Sequence, residues 1–154
     1  MATRIAAFLL LAGLLPVTAR AQTASDTGLI NIRAIDRTIR VSAGTPTLVR
    51  RGLAQALGRV AHRLSTGGVG LELLAGVKPE PADHAEGRAV DVRLVDLSRG
   101  TVLPMGTAVS ATDRPDSTSA GAREMRYRTL LSRVMTEEGF AGDGTRWWHF
   151  VLSR

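Results

Sequence analysis

The sequence contains no cysteine, a single lysine and few aromatic residues: two Trp, one Tyr and three Phe. Without cysteine there is no disulfide, no thiolate metal site and no sulfur nucleophile. Any bound metal must therefore be held by His, Asp or Glu, and the chain has only three histidines. With so few aromatic rings there is no stacking platform for single-stranded nucleic acid. The basic side chains, all arginine apart from Lys78, form no clustered run, so nucleic acid is not an expected partner. An apolar run long enough to span a bilayer is also missing. The longest, IAAFLLLAGLLPV at positions 5–17, falls short of the ~20 residues a stable spanning helix needs.

That short run has the flanks of a secretory leader. Arg4 precedes it, and Ala19-Arg20-Ala21 follows as a small-residue cleavage site, with Gln22 as the first mature residue. The organisation expected is a signal peptide at 1–21 and one domain at 22–154, secreted and periplasmic, with no stable membrane anchor once the leader is removed. The full chain has a formal charge of +6. Two of these charges, Arg4 and Arg20, leave with the leader, so the mature chain carries +4. A basic exported protein favours anionic surfaces such as the cell wall.

The 154 residues are 44% hydrophobic, enough for one core and too few for two comfortable domains. Leu29 to Arg33 alternates as a short strand. Val49, Leu53, Leu57, Val60 and Leu64 recur at helical spacing, which predicts a helix opening at Pro46 or Thr47 and stopping at Gly67-Gly68. His62, among the arginines of that helix, is expected on its solvent side. Val69 to Ala75 reads as a buried strand and Arg88 to Val95 as an alternating one, with Thr101 to Leu103 pairing back on it. Ala108 to Ala120 is a long polar loop. A second helix is predicted from Gly121 to Glu138, stopped by Gly139, and a last strand over Arg146 to Leu152. This order predicts a small single α+β domain with a central antiparallel sheet and two main helices.

Three residues carry the chemistry. His84 and Asp91 bracket the start of the second strand in DHAEGRAVD, and His149 lies in the terminal GTRWWHF. Asp91 stands between valines, and a carboxylate in such a strand needs a partner. Two His and one Asp suit Zn²⁺ and leave one position for water. The same residues are also compatible with an Asp–His hydrogen bond beside a surface histidine.

HAEGRAVD, followed by SRGTVLPMGT, a helix, EEGF and WWHF, resembles the D-Ala-D-Ala dipeptidases. These are zinc peptidases with the motifs SxHxxGxAxD and ExWH. The resemblance implies an α+β fold with the zinc site on a central antiparallel sheet, and one zinc per chain held by His84, Asp91 and His149. Trp147 and Trp148 would shape and dry the site. D-Ala-D-Ala or peptidoglycan-derived peptides would be the partners, with Lys78 standing where the family has a substrate-facing arginine. Four departures accompany the match. Arg146 replaces the glutamate that serves the family as general base; Lys78 replaces arginine; Ala82 replaces a serine; and the segment between Val41 and Thr47 is short. Arginine stays protonated and cannot accept the proton. Asp143, Glu86 and Asp83 are the acids nearest in sequence that could substitute, with Asp143 first because glycines flank it. The readings are thus an exported zinc dipeptidase, a catalytically impaired zinc-binding descendant that holds wall peptides, or a metal-free domain with a buried His–Asp pair.

Overall fold

A computed structural model describes residues 28–79, 81–106 and 120–153. The expected leader and nearly all of the polar loop expected at 108–120 lie outside the described residues. No helix among the described residues is long and apolar enough to cross a membrane.

Two sheets form. β1 (Leu29–Asn31) pairs antiparallel with β3 (Leu48–Arg50). The main sheet has the order β2-β4-β5-β7-β6, with β2 at Arg40–Val41, β4 at Val69–Ala75, β5 at Ala89–Asp96, β6 at Phe140–Gly142 and β7 at His149–Leu152. It is antiparallel except where the edge strand β2 runs parallel to β4. The two main helices are α1 (Arg51–Ser65) and α3 (Ala122–Glu137); α2 (Ala82–Ala85) is a single turn. The fold is the expected α+β domain.

Alternation along the strands divides the sheet into two faces. Leu71, Leu73, Val90, Val92, Leu94 and Phe150 join the buried stripe of α1 (Leu53, Leu57, Val60, Leu64) and Leu131, Val134 and Met135 of α3 in one core. Each fully buried Leu or Val contributes about 1.5–3 kcal/mol. Arg59 and Arg63 of α1 also reach Glu138 just past α3, at 2.7 and 2.9 Å; such exposed pairs add only about 0.2–1 kcal/mol each. His62 is exposed, as its arginine neighbours imply.

The opposite face is polar. Arg40, Glu72 and Arg93 lie side by side on β2, β4 and β5. Glu72 is only 3% exposed, and its carboxylate is neutralised by Arg93 at 2.7 Å and Arg40 at 3.7 Å.

Several elements differ from the sequence reading, the strand at Leu29 ending at Asn31 rather than Arg33 among them. α1 begins at Arg51 rather than Pro46 or Thr47, because Leu48 to Arg50 is taken by the ladder with β1. The apolar spacing of Val49 fits either state, since Val49 is buried in the strand as it would be in a helix. The last strand begins at His149 rather than Arg146: residues 146–149 form a turn in which the His149 N–H donates to the Arg146 carbonyl at 3.1 Å. β6 was not anticipated, and it exists because Phe140, 2% exposed, inserts into the core directly after α3. Thr101 to Leu103 does return to β5, through the Val95–Val102 bridge and a Leu103 N–H to Leu94 carbonyl bond of 3.0 Å.

Gly87 closes the turn between α2 and β5 with φ of +70°, and a Cβ there would lie 2.8 Å from Arg50 Cγ. The neighbouring Glu86 carbonyl accepts a hydrogen bond from Arg50 Nε, so the arginine stem cannot simply swing aside. Gly87→Ala is expected to cost at least about 1–2 kcal/mol for the left-handed backbone alone. A lower urea midpoint at unchanged slope checks it; an unchanged midpoint contradicts it.

Candidate metal centre

The polar face of the sheet brings His84, Asp91 and His149 together. Asp91 of β5 is the register partner of His149 of β7, so strand pairing alone sets their side chains next to each other on one face. The one-turn helix α2 supplies His84. Its formation follows from Pro81, which enters with extended backbone, and from Asp83, whose Oδ1 accepts the His84 N–H at 2.8 Å.

Three donor atoms converge. His149 Nδ1 lies 2.8 Å from Asp91 Oδ1, His84 Nε2 lies 3.3 Å from the same oxygen, and the two ring nitrogens are 3.3 Å apart. Tetrahedral ligands at ~2.0–2.1 Å from a zinc ion are separated by ~3.3–3.4 Å. The triangle is therefore close to one face of such a tetrahedron. The remaining ring nitrogens are both engaged. His84 Nδ1 donates to the Gly76 carbonyl at 2.7 Å, and His149 Nε2 lies 3.0 Å from Asp83 Oδ2. Both histidines thus have an outer partner of the kind that orients metal-binding imidazoles. The donor set and its surroundings fit a small divalent cation.

A second trio, Asp83, His84 and His149, also has ligand atoms within 4.8 Å of one another. Asp83 meets His149 at Nε2, the nitrogen pointing away from the Asp91 triangle. The Asp91 triangle is the tighter one, and it uses an imidazole nitrogen from each histidine with the opposite nitrogen already satisfied.

The centre is buried: His84 is 0%, His149 1% and Asp91 7% exposed. Burial pushes the Asp91 carboxyl up, but hydrogen bonds from His149, His84 and Lys78 outweigh it and hold the group well below the ordinary carboxylate range. The Lys78 ammonium sits 3.0 Å from Asp91 Oδ2, the oxygen outside the triangle. The residue expected to meet a peptide carboxylate is therefore in contact with a carboxylate of the site itself, while its side chain keeps 31% exposure.

The tryptophans divide. Trp148 is 3% exposed, and its carbonyl accepts the Val92 N–H at 2.9 Å, locking β7 to β5 beside the site. Trp147 packs edge-on to it at 5.3 Å and lies under the Arg128 guanidinium at 5.4 Å. Trp147 also lines a cavity of about 450 Å³ with Met125, Arg128, Arg133 and Phe150.

Arg146 lines the same cavity and pairs with Asp143 through Nε. Asp143 also accepts the N–H groups of Thr145 and Arg146, at 2.9 and 2.6 Å. Burial raises its carboxyl, but hydrogen bonds from the backbone and side chain of Arg146 outweigh that and hold it below its ordinary range. Glu86 is held by Arg88 at 2.6 Å, and Asp83 by His149. Each of the three acids considered as a substitute base is engaged elsewhere.

Sequence reasoning missed the Gly76 carbonyl, the Asp83–His149 bond and the role of Glu72. Only Glu72 carried a signal, as a lone acid in the apolar strand VGLELLA.

Residues 72–154 match the family described as D-ala-D-ala dipeptidase. Among curated proteins, the D-alanyl-D-alanine dipeptidase of Enterococcus faecium is 31% identical over 74 residues, covering 46% of this chain and 37% of that protein. The D-alanyl-D-alanine dipeptidase of Escherichia coli (strain K12) is 34% identical over 74 residues, covering 46% and 38%. The matched stretch thus spans less than two-fifths of either relative.

Proposed function

Because the chain belongs to the D-ala-D-ala dipeptidase family, we propose that it is an exported zinc-dependent hydrolase of D-Ala-D-Ala or a related short cell-wall peptide. The observation that carries this reading is the triangle of His84 Nε2, Asp91 Oδ1 and His149 Nδ1, with edges of 2.8–3.3 Å. These three residues would hold one zinc ion, which supplies a Lewis acid and a water of lowered pKa. The chain's own contribution is to place and dry the site. Trp148 and the strands beneath it exclude water from one side. Lys78, now paired with Asp91, would meet the peptide carboxylate, though an ammonium lacks the bidentate fork of arginine. Arg146 can stabilise developing negative charge but cannot take a proton.

One observation favours the second reading, an impaired descendant that binds peptidoglycan peptides: Arg146 is tied to Asp143, and Asp83 and Glu86 have partners of their own. Zinc-loaded protein incubated with D-Ala-D-Ala separates the two. Release of D-alanine supports the dipeptidase. A calorimetric binding signal without release supports the binding protein, and absence of both contradicts the two readings together.

Export is part of the proposal and rests on the Ala19-Arg20-Ala21 site after the apolar run. Mass spectrometry of the chain recovered from the periplasm is expected to find Gln22 at the N-terminus. Recovery with Met1 intact would contradict secretion by this route.

A further inference from the structure

We propose that Asp83 is the positioning residue that keeps His149 Nδ1 free to bind metal; this rests on the zinc reading above. His149 lies between two carboxylates. Asp91 Oδ1 is 2.8 Å from Nδ1, and Asp83 Oδ2 is 3.0 Å from Nε2. A neutral imidazole carries one N–H, and the hydrogen-bond partner of one nitrogen decides which it is. With the proton on Nε2, donated to Asp83, the Nδ1 lone pair faces the triangle. With the proton on Nδ1, donated to Asp91, two of the three donor atoms are consumed by one hydrogen bond and the site is closed. Asp83 and Asp91 therefore compete for the same proton, and metal binding requires that Asp83 hold it.

The geometry equips Asp83 for this. Its Oδ1 is anchored by the His84 N–H at 2.8 Å, which leaves Oδ2 aimed at His149. One carboxylate thus ties α2, which carries one histidine, to β7, which carries the other. Asp91 is drawn the other way by Lys78, whose ammonium at 3.0 Å competes for its charge. The other histidine needs no such arbitration. His84 Nδ1 faces the Gly76 carbonyl, which can only accept, so its proton has one place to go.

The test is zinc affinity, measured by competition with a chromophoric chelator, for wild type, Asp83→Asn, Asp83→Ser, Asp83→Glu and Asp91→Asn. Asparagine removes the charge at nearly constant shape. Serine can still accept the His84 N–H but is too short and uncharged to hold His149. Both are expected to weaken zinc binding by about 10–100-fold, the usual effect of losing an outer partner, and Asp83→Glu to recover most of it. The visible spectrum of cobalt-loaded Asp83→Asn should keep the wild-type bands, because the coordinating atoms are unchanged. Melting of the metal-free variants reports whether the fold survives, and either of the first two suffices if the other unfolds. Affinities within threefold of wild type in both overturn the proposal. So does a loss matching Asp91→Asn with an altered cobalt spectrum, which would make Asp83 a ligand. A wild-type chain that takes up no zinc overturns the metal reading itself, a result distinct from either.

Discussion

Arg146→Glu is expected to raise D-alanine release from D-Ala-D-Ala by about 10²–10⁴-fold, the range a positioned acid–base group contributes. Position 146 is three residues before His149, where the family motif carries its glutamate. In a regular strand that odd separation would send the two side chains to opposite faces. The chain avoids this, because β7 starts only at His149 and residues 146–149 form a turn closed by the His149 N–H to Arg146 carbonyl bond. The side chain at 146 is therefore free of strand parity. At present it pairs with Asp143. A glutamate there would be repelled by Asp143 and released from that pairing. Asp143 would keep its contacts to the Thr145 and Arg146 backbone, so the turn should persist. The assay compares wild type and variant at equal zinc occupancy. If wild type is already as fast, another group accepts the proton, and Asp143→Asn is the next variant to assay. If both bind zinc and neither releases D-alanine, the binding-protein reading takes over.

The second large effect is on the metal. His149→Ala is expected to abolish zinc retention after dialysis, with an affinity loss beyond the ~100-fold upper end seen for removal of outer partners. His149 is 1% exposed, and its ring reaches Asp91 at 2.8 Å, His84 at 3.3 Å and Asp83 at 3.0 Å. Truncation removes a donor atom from the triangle. It also takes one partner each from the Asp83 and Asp91 carboxylates, leaving Asp91 with Lys78 and His84 and Asp83 with the His84 N–H, and partly buried charges that lose a partner are costly. Some loss of stability should accompany the loss of metal, and elemental analysis with a melting curve on the same sample reads both. Full zinc retention would remove His149 from the ligand set. His84→Ala is the companion variant, with a milder expected effect on stability because its outer partner is a neutral carbonyl.

Much of this molecule is written locally. Val69 to Ala75 is apolar enough to read as a buried strand, and Gly121 to Glu138 carries a helical stripe ended by a glycine with φ of +89°. His84 and His149 stand out because a chain without cysteine has only three histidines to offer a metal, and Asp91 because it is an acid set between valines in a strand. The arginine at 146 stands out only through the resemblance, whose motif has a glutamate there. Other features depend on partners distant in sequence, and no local pattern encodes them. Leu48 to Arg50 could continue a helix by periodicity; it is a strand because Leu29 to Asn31 is there to pair with it. His149 opens β7 because its neighbour across the ladder is Asp91, 58 residues earlier. The convergence of the three donor atoms follows from that register and from a one-turn helix too short to announce itself. Asp83 on that helix meets His149 across 66 residues, and Lys78, beyond the end of β4, meets Asp91 across 13. Residue types and their spacing determined which groups could do chemistry. Strand register, a tertiary property, decided which oxygen meets which nitrogen, because a hydrogen bond depends on distance in space and is blind to distance along the chain.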